Sequence, residues 1–305
     1  MTLLLIFIIF IFPVIAIAGY QHYKISKQPA YDADNTVLNY EIVGSGEKKL
    51  VLLHGLTGSL NYWKRDMENI LTTHKLLLVD LLGFGDSPKP RSDYSLSVQL
   101  GALELILKKE GFNDGKTIII GHSMGGIISL ALLEKHPYWF KTGIFIGIPV
   151  YKDVDEFKKI MSTRSFVDKI STSKFSKYIC MIHPIFMSSA FKPDNLTDDV
   201  YEDAQKHHWM SYYYSLTEVI LKTDLYTLAK RINDKEVLFI HGKKDTTAPL
   251  ENALSLSKVF TNAKVVTSTE GDHQFFLKET NFVWQAIQDF SLSEKKSQKI
   301  TLDEY

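Results

Sequence analysis

Apolar positions along this chain fall into two rhythms. Short runs with apolar cores rich in Leu, Ile and Val lie within residues 49–54, 75–80, 116–120, 143–148, 236–241 and 263–267; each predicts a strand, and those at 49–54, 75–80 and 118–120 suit strands buried on both faces. Residues 36–43 alternate apolar and polar instead and predict an earlier strand, closed by a Gly44-Ser45-Gly46 turn. Between the runs, apolar residues recur every three or four positions. Leu96, Leu100, Leu103 and Leu107 form one such stripe, and Ile127, Ile128, Ala131 and Leu132 form another. Residues 63–71 and 281–290 also predict helices. Strands alternating with helices at this spacing predict an α/β fold with a doubly wound, mostly parallel sheet. Reactive groups then belong at the carboxyl ends of the strands.

The rhythm breaks between residues 150 and 232. No apolar run suits a buried strand there, but aromatics are frequent, including Phe157, Phe166, Phe175, Phe191, Tyr212, Tyr213 and Tyr214. A structureless loop of that length is implausible. We therefore expect a helical cap inserted at 150–232 into a core formed by 30–149 and 233–292, with a frayed polar tail at 293–305. Within the cap, Met181, Phe186 and Trp209 are expected to set acyl-chain preference, and the lysines between 152 and 177 to form a solvated face.

The first residues differ in kind. Thirteen of the sixteen residues at 3–18 are Leu, Ile, Phe or Val, and none is charged. Each such residue favours a bilayer centre by about 0.3–0.6 kcal/mol. Residues 1–20 are expected to be a membrane anchor or, alternatively, a secretory signal cleaved after Ala16-Ile17-Ala18. Lys24 and Lys27 follow the run and no Lys or Arg precedes it, which places the catalytic domain on the cytoplasmic side if the anchor is retained.

Composition narrows the function classes. Lys plus Arg equals Asp plus Glu at 35 each, so no overall charge points to nucleic acid. The single cysteine, Cys180, excludes an intrachain disulfide framework and a cysteine-rich zinc site.

The chemistry centres on Gly121-His122-Ser123-Met124-Gly125, which must turn the chain from strand to helix within a few residues. The flanking backbone has to pass close to its neighbours, and glycine permits that. Ser123 is then held on a strained corner above a helix N-terminus, the context that makes Gly-x-Ser-x-Gly a nucleophile elbow. A serine hydroxyl needs a base, and imidazole is the best one near neutral pH. Of the ten histidines, His273 follows a late strand in a Gly-Asp-His turn at the expected active edge. Asp245 lies at the same edge, just past the preceding strand, and is assigned to orient the imidazole. Its rival is Asp153, after the strand that follows the nucleophile helix. The backbone N–H groups of Leu56 and Met124 are assigned to the oxyanion. His54 and His122 are expected to brace loops, Asp272 to bond its own turn, and His207 and His208 to point apart, which disfavours a metal site. No metal or organic cofactor is required.

His54-Gly-Leu-Thr-Gly58, Asp80-Leu-Leu-Gly-Phe-Gly-Asp-Ser87, Gly121-His-Ser-Met-Gly-Gly126, His241-Gly-Lys-Lys-Asp245 and Gly271-Asp-His273 together resemble the motif set of the α/β-hydrolase fold family. The resemblance spans about residues 36 to 290, and within the family it is nearest to cap-bearing serine esterases and monoacylglycerol-lipase-like enzymes. It implies an eight-stranded sheet, a Ser123, Asp245, His273 triad, and a loop shaped by Asp80, Gly83 and Gly85. It implies hydrolysis of lipid-like or small acyl esters through an acyl-enzyme. Amide, thioester or carbon–carbon bond hydrolysis on the same fold, or a non-catalytic ligand receptor, are the alternatives. The 150–232 stretch carries no motif of the family.

Overall fold

The computed structural model describes residues 12–164, 169, 176–182, 192 and 196–300, with the backbone alone at 182 and 292–300. Its centre is a seven-stranded sheet in the order β1-β3-β2-β4-β5-β6-β7. The strands are β1 (Tyr40–Val43), β2 (Lys48–Leu53), β3 (His74–Val79), β4 (Thr117–His122), β5 (Phe140–Ile146), β6 (Glu236–Gly242) and β7 (Asn262–Ser268). All neighbours are parallel except β1, which runs antiparallel to β3 with Tyr40 opposite Val79. Side chains alternate between two apolar layers: Val51 and Leu53 of β2 enter one, Leu50 and Leu52 the other. That two-sided burial is why these strands read as continuous apolar runs. Each fully buried aliphatic side chain is worth about 1.5–3 kcal/mol.

Three local expectations are corrected. The sheet has seven described strands rather than eight. The residues before β1 that could have extended the antiparallel edge instead form helix α1 (Phe12–Ser26) and a turn in which Asp32 accepts the Asp34 and Asn35 N–H groups. The predicted helix at 63–71 is broken into a 3-10 turn at Leu60–Trp63, N-capped by Ser59, and the one-turn helix α2 (Glu68–Leu71). Asp66 between them has φ +48°, which no α-helix accommodates. The C-terminal helix does not stop near residue 290 but runs on to Ile300.

The remaining helices are α3 (Leu96–Lys109), α4 (Met124–Lys135), α5 (Val154–Arg164), α6 (Ser176–Ile182), α7 (Asp198–Ala204), α8 (Trp209–Tyr214), α9 (Leu225–Arg231), α10 (Leu250–Ser257) and α11 (Thr280–Ile300). Helices α5 to α9, with a π-helical turn at Ser215–Ile220, lie between β5 and β6, and no strand occurs there among the described residues. Phe166, Phe175, Phe186 and Phe191 lie outside the described residues, as does most of the apolar run at 3–18. Among the described residues no helix is long and apolar enough to cross a membrane.

Candidate active site

The carboxyl ends of β4, β6 and β7 bring three sequence-distant side chains into one line. Strand β4 is buried along its whole length and hands directly to α4 through Ser123. Two close approaches shape this corner. A Cβ on Gly121 would lie 2.1 Å from the Gly125 carbonyl oxygen, and one on Gly125 would lie 2.3 Å from the Leu53 carbonyl oxygen. Ser123 takes φ +51° and ψ −121°, a conformation that costs a non-glycine residue about 1–3 kcal/mol and persists only where its surroundings enforce it. Here the Ser123 N–H donates to the Ile146 carbonyl at 2.9 Å, tying the corner to β5.

His273 Nε2 is 3.0 Å from Ser123 Oγ, and its Nδ1 is 2.8 Å from Asp245 Oδ2. The second Asp245 oxygen accepts from the Thr247 and Ala248 N–H groups at 2.8 and 2.7 Å. Burial alone would raise the Asp245 carboxyl, but the facing His273 and the Ala248 N–H outweigh it and hold the group below its ordinary value. His241, one strand-end away, donates from Nε2 to the Ala248 carbonyl at 2.7 Å and so braces the turn that presents Asp245. Asp153 is elsewhere: its carboxylate accepts the Glu156 N–H at 2.8 Å at the start of α5.

The other histidines near the site are held neutral. His122 Nε2 donates to the His273 carbonyl at 2.9 Å; burial, helped by the neighbouring His273, pushes its pKa down to about 3. His54 donates from Nδ1 to the Gly55 carbonyl at 2.7 Å and accepts the Leu81 N–H on Nε2 at 2.9 Å, with burial pushing its pKa down. It staples the loop after β2 to the loop after β3. That second loop is built on Asp80, whose carboxylate accepts the Leu60 N–H at 2.6 Å and the Asp86 N–H at 2.8 Å. Gly83 and Gly85 turn the loop with φ of +92° and +50°. Asp272 accepts the Gln274 N–H within its own turn at 2.8 Å. His207 and His208 point to different partners, the Ala204 and Lys89 carbonyls.

A cavity of about 370 Å³ opens over Ser123 and His273. Leu56 lines it, and Met124 begins α4 immediately after Ser123. Among the described residues neither the Leu56 nor the Met124 N–H donates to a protein acceptor. Sequence reading missed Tyr62 and Tyr151, which also line the cavity. Burial keeps both phenols protonated, raising their pKa values above the ordinary tyrosine range. No spacing could flag them, because they converge from separate turns. Met181 and Trp209, expected to set acyl-chain preference, pack with Ile25 of α1. The apolar wall between β5 and β6 comes from Phe157, Met161, Tyr212, Leu216 and Ile220.

The family model described as alpha/beta hydrolase fold matches residues 48–280. A probable lysophospholipase of Arabidopsis thaliana, BODYGUARD 1, is 24% identical over 78% of this chain and 59% of its own length. The 1-acylglycerol-3-phosphate O-acyltransferase ABHD5 of Rattus norvegicus is 36% identical over 30% of this chain and 27% of its own. The chain thus spans well under two thirds of the curated relatives it matches. Among solved structures, an esterase from Exiguobacterium antarcticum superposes with a TM-score of 0.67 at 20% identity, covering 85% of this chain and 96% of that one. A bromoperoxidase from Bacillus anthracis gives 0.67 at 19% identity, covering 88% and 100%. At such identities these likenesses bear on the fold.

Proposed function

Because this chain belongs to the α/β-hydrolase fold family, we propose that it is a serine hydrolase cleaving carboxylic esters through an acyl-enzyme. The observation that carries this reading is the unbroken line Ser123 Oγ, His273, Asp245 at hydrogen-bond distances of 3.0 and 2.8 Å. His273 Nε2 takes the Ser123 proton as Oγ attacks the acyl carbon, and the electron pair of the carbonyl moves onto its oxygen. The Leu56 and Met124 N–H groups receive that oxyanion. On collapse the ester C–O bond breaks and the leaving alkoxide takes the proton from His273. Water then attacks the acyl-enzyme, giving its proton to His273, which returns it to Ser123 Oγ as the acid departs. Asp245 holds the imidazole in the required tautomer and stabilises its protonated form.

The esterase among the structural neighbours and the probable lysophospholipase among the relatives make monoacyl lipid esters the first substrates to try. A fluorophosphonate probe is expected to label Ser123, and Ser123→Ala to lose both labelling and turnover of p-nitrophenyl esters. Labelling of another serine with Ser123→Ala still active would overturn the assignment.

The membrane anchor at residues 3–18 belongs to the same proposal. Its support is that Phe12, Val14 and Ile15, the part of that run at the start of α1, are exposed apolar residues. Carbonate-washed membranes should retain a protein with an intact N-terminus; a soluble protein beginning near Gly19 would sink this part.

A further inference from the structure

A buried acid from outside the sheet reaches the loop that carries one of the proposed oxyanion donors. The Leu56 N–H belongs to the same planar peptide unit as the Gly55 carbonyl, so whatever holds that carbonyl also aims that N–H. His54 Nδ1 holds it at 2.7 Å and the Gly58 N–H at 3.0 Å. Within the loop, Thr57 takes φ +63°, left-handed backbone that a β-branched residue adopts only where its surroundings enforce it. Such a loop needs an anchor at its far end as well as at the strand.

Asp203 supplies that anchor. It sits on α7, in the helical segment between β5 and β6, and is only 5% exposed. Its Oδ2 accepts from Ser59 Oγ at 2.5 Å and from Asn61 Nδ2 at 2.7 Å. Ser59 directly follows Gly58 and caps the 3-10 turn at Leu60–Trp63, its Oγ accepting the Asn61 N–H at 3.2 Å. The other Asp203 oxygen meets Lys206 Nζ at 2.8 Å, and Lys206 also reaches Asp86 at 2.9 Å. Asp86 in turn belongs to the loop built on Asp80, whose carboxylate takes the Leu60 N–H. Burial alone would raise the Asp203 carboxyl, but the Lys206, Ser59 and Asn61 donors outweigh it and hold the group below its ordinary value. Hydrogen bonds to a carboxylate are short and about twice as strong as neutral ones. This tie therefore fixes the position of Ser59, where apolar packing fixes mainly volume.

We propose that Asp203 is a positioning residue for the oxyanion: by fixing Ser59, and through it the adjoining Gly58 N–H, it keeps the Gly55–Leu56 peptide turned so that the Leu56 N–H faces the reacting carbonyl oxygen. This inference rests on the serine-hydrolase reading and adds to it a residue that acts on the transition state through the loop. Because the oxyanion forms only as the reaction proceeds, the effect falls on kcat rather than on KM.

The test compares variants of the full chain on p-nitrophenyl acetate and butyrate. Asp203→Ala and Ser59→Ala should each lower kcat about 10- to 100-fold with little change in KM, less than the roughly 10²–10³ of removing an oxyanion donor outright, because His54 still holds the Gly55 carbonyl. Ser59→Ala leaves Asp203 paired with Lys206 and Asn61, so it carries the test if Asp203→Ala does not fold. The double variant should lose little more than the worse single one, since both remove one contact. Affinity for a trifluoromethyl ketone, whose adduct with Ser123 carries an oxyanion, should fall by the same factor as kcat. Asp199→Ala is the control: it cuts the tie of α7 to Arg65 without touching Ser59 or Asn61, and should leave kcat and ketone affinity near those of the wild type. An equal loss in Asp199→Ala, a loss confined to KM, or unchanged ketone affinity in Asp203→Ala and Ser59→Ala would overturn the inference while leaving ester hydrolysis standing. A wild type that turns over no ester and shows no labelling of Ser123 would overturn both readings.

Discussion

Two regions meet over Ser123, and they are built on different terms. Below it, the strand ends of β4, β5 and β6 form a lattice held by hydrogen bonds to backbone carbonyls. His122 bonds the His273 carbonyl, His241 the Ala248 carbonyl, and Ser123 the Ile146 carbonyl. Above it, the helical segment between β5 and β6 closes the cavity mainly by side-chain packing, with Phe157, Met161 and Leu216 as a small separate cluster. A hydrogen-bonded lattice in a buried sheet fixes angles and distances to a fraction of an ångström. A cluster of flexible apolar side chains fixes volume and polarity more than position. Under the proposed serine-hydrolase reading, chemistry that needs a 3.0 Å approach is assigned to the first region and substrate choice to the second.

The sharpest way to break this division is at Asp245. Asp245→Asn keeps the shape of the turn but removes the charge that stabilises protonated His273. It should lower kcat by about 10⁴, the loss seen for the equivalent change in a serine protease. Asp153→Asn, which touches only the start of α5, is the control. Comparable losses in both variants, measured with p-nitrophenyl butyrate, would mean that the lower lattice does not hold the chemistry alone.

A second experiment asks whether the lattice depends on a neutral His122. Folded, His122 resists protonation down to about pH 3, whereas in the unfolded chain it titrates near 6.5. The unfolded state therefore binds more protons over this window, and stability falls as pH drops through it. Between pH 6.5 and 5 this one group accounts for about 2 kcal/mol, at 1.36 kcal/mol per pH unit. Urea unfolding at pH 7 and pH 5 should show a smaller acid loss in His122→Asn than in the wild type. An identical acid loss in both proteins would assign the pH dependence to other buried histidines, such as His54 and His74.

The smallest expected effect sharpens the upper region. Phe157→Ala and Leu216→Ala enlarge the wall between β5 and β6 and should shift the preferred p-nitrophenyl acyl length by a few carbons, changing relative rates about 10-fold, the order of 1–3 kcal/mol expected from added pocket volume. Trp209→Ala, which loosens packing against Ile25 of α1, should leave chain-length preference in place. A shift in Trp209→Ala as large as in Phe157→Ala would show that the two clusters act as one.

Much of the lower region was legible in the sequence because its determinants are local. Apolar runs marked the five central strands β2 to β6, since a sheet covered on both faces admits little else there, while the edge strand β7 keeps exposed residues such as Lys264 and was marked by its β-branched core alone. Gly121 and Gly125 marked the elbow, since only a missing Cβ lets that backbone pass Leu53. His273 and Asp245 were found because each follows a strand by a few residues and must emerge at the same edge. The broken helix at 63–71 was not legible: its apolar spacing is helical, but Ser59 and Asp80 capture the backbone at Leu60 and Asn61 from outside it.

The walls of the cavity were decided only by tertiary structure. Met181 and Trp209 have the size and polarity of pocket residues, as Phe157 and Leu216 do, and nothing in their spacing distinguishes the two pairs. What separates them is that α1 covers Trp209 while the turn holding Leu56 meets Phe157. Local patterns fix which residues must be buried and which backbone corners need glycine. They do not fix which buried face a short helix offers to which neighbour, because that choice is made by contacts between segments far apart in the chain.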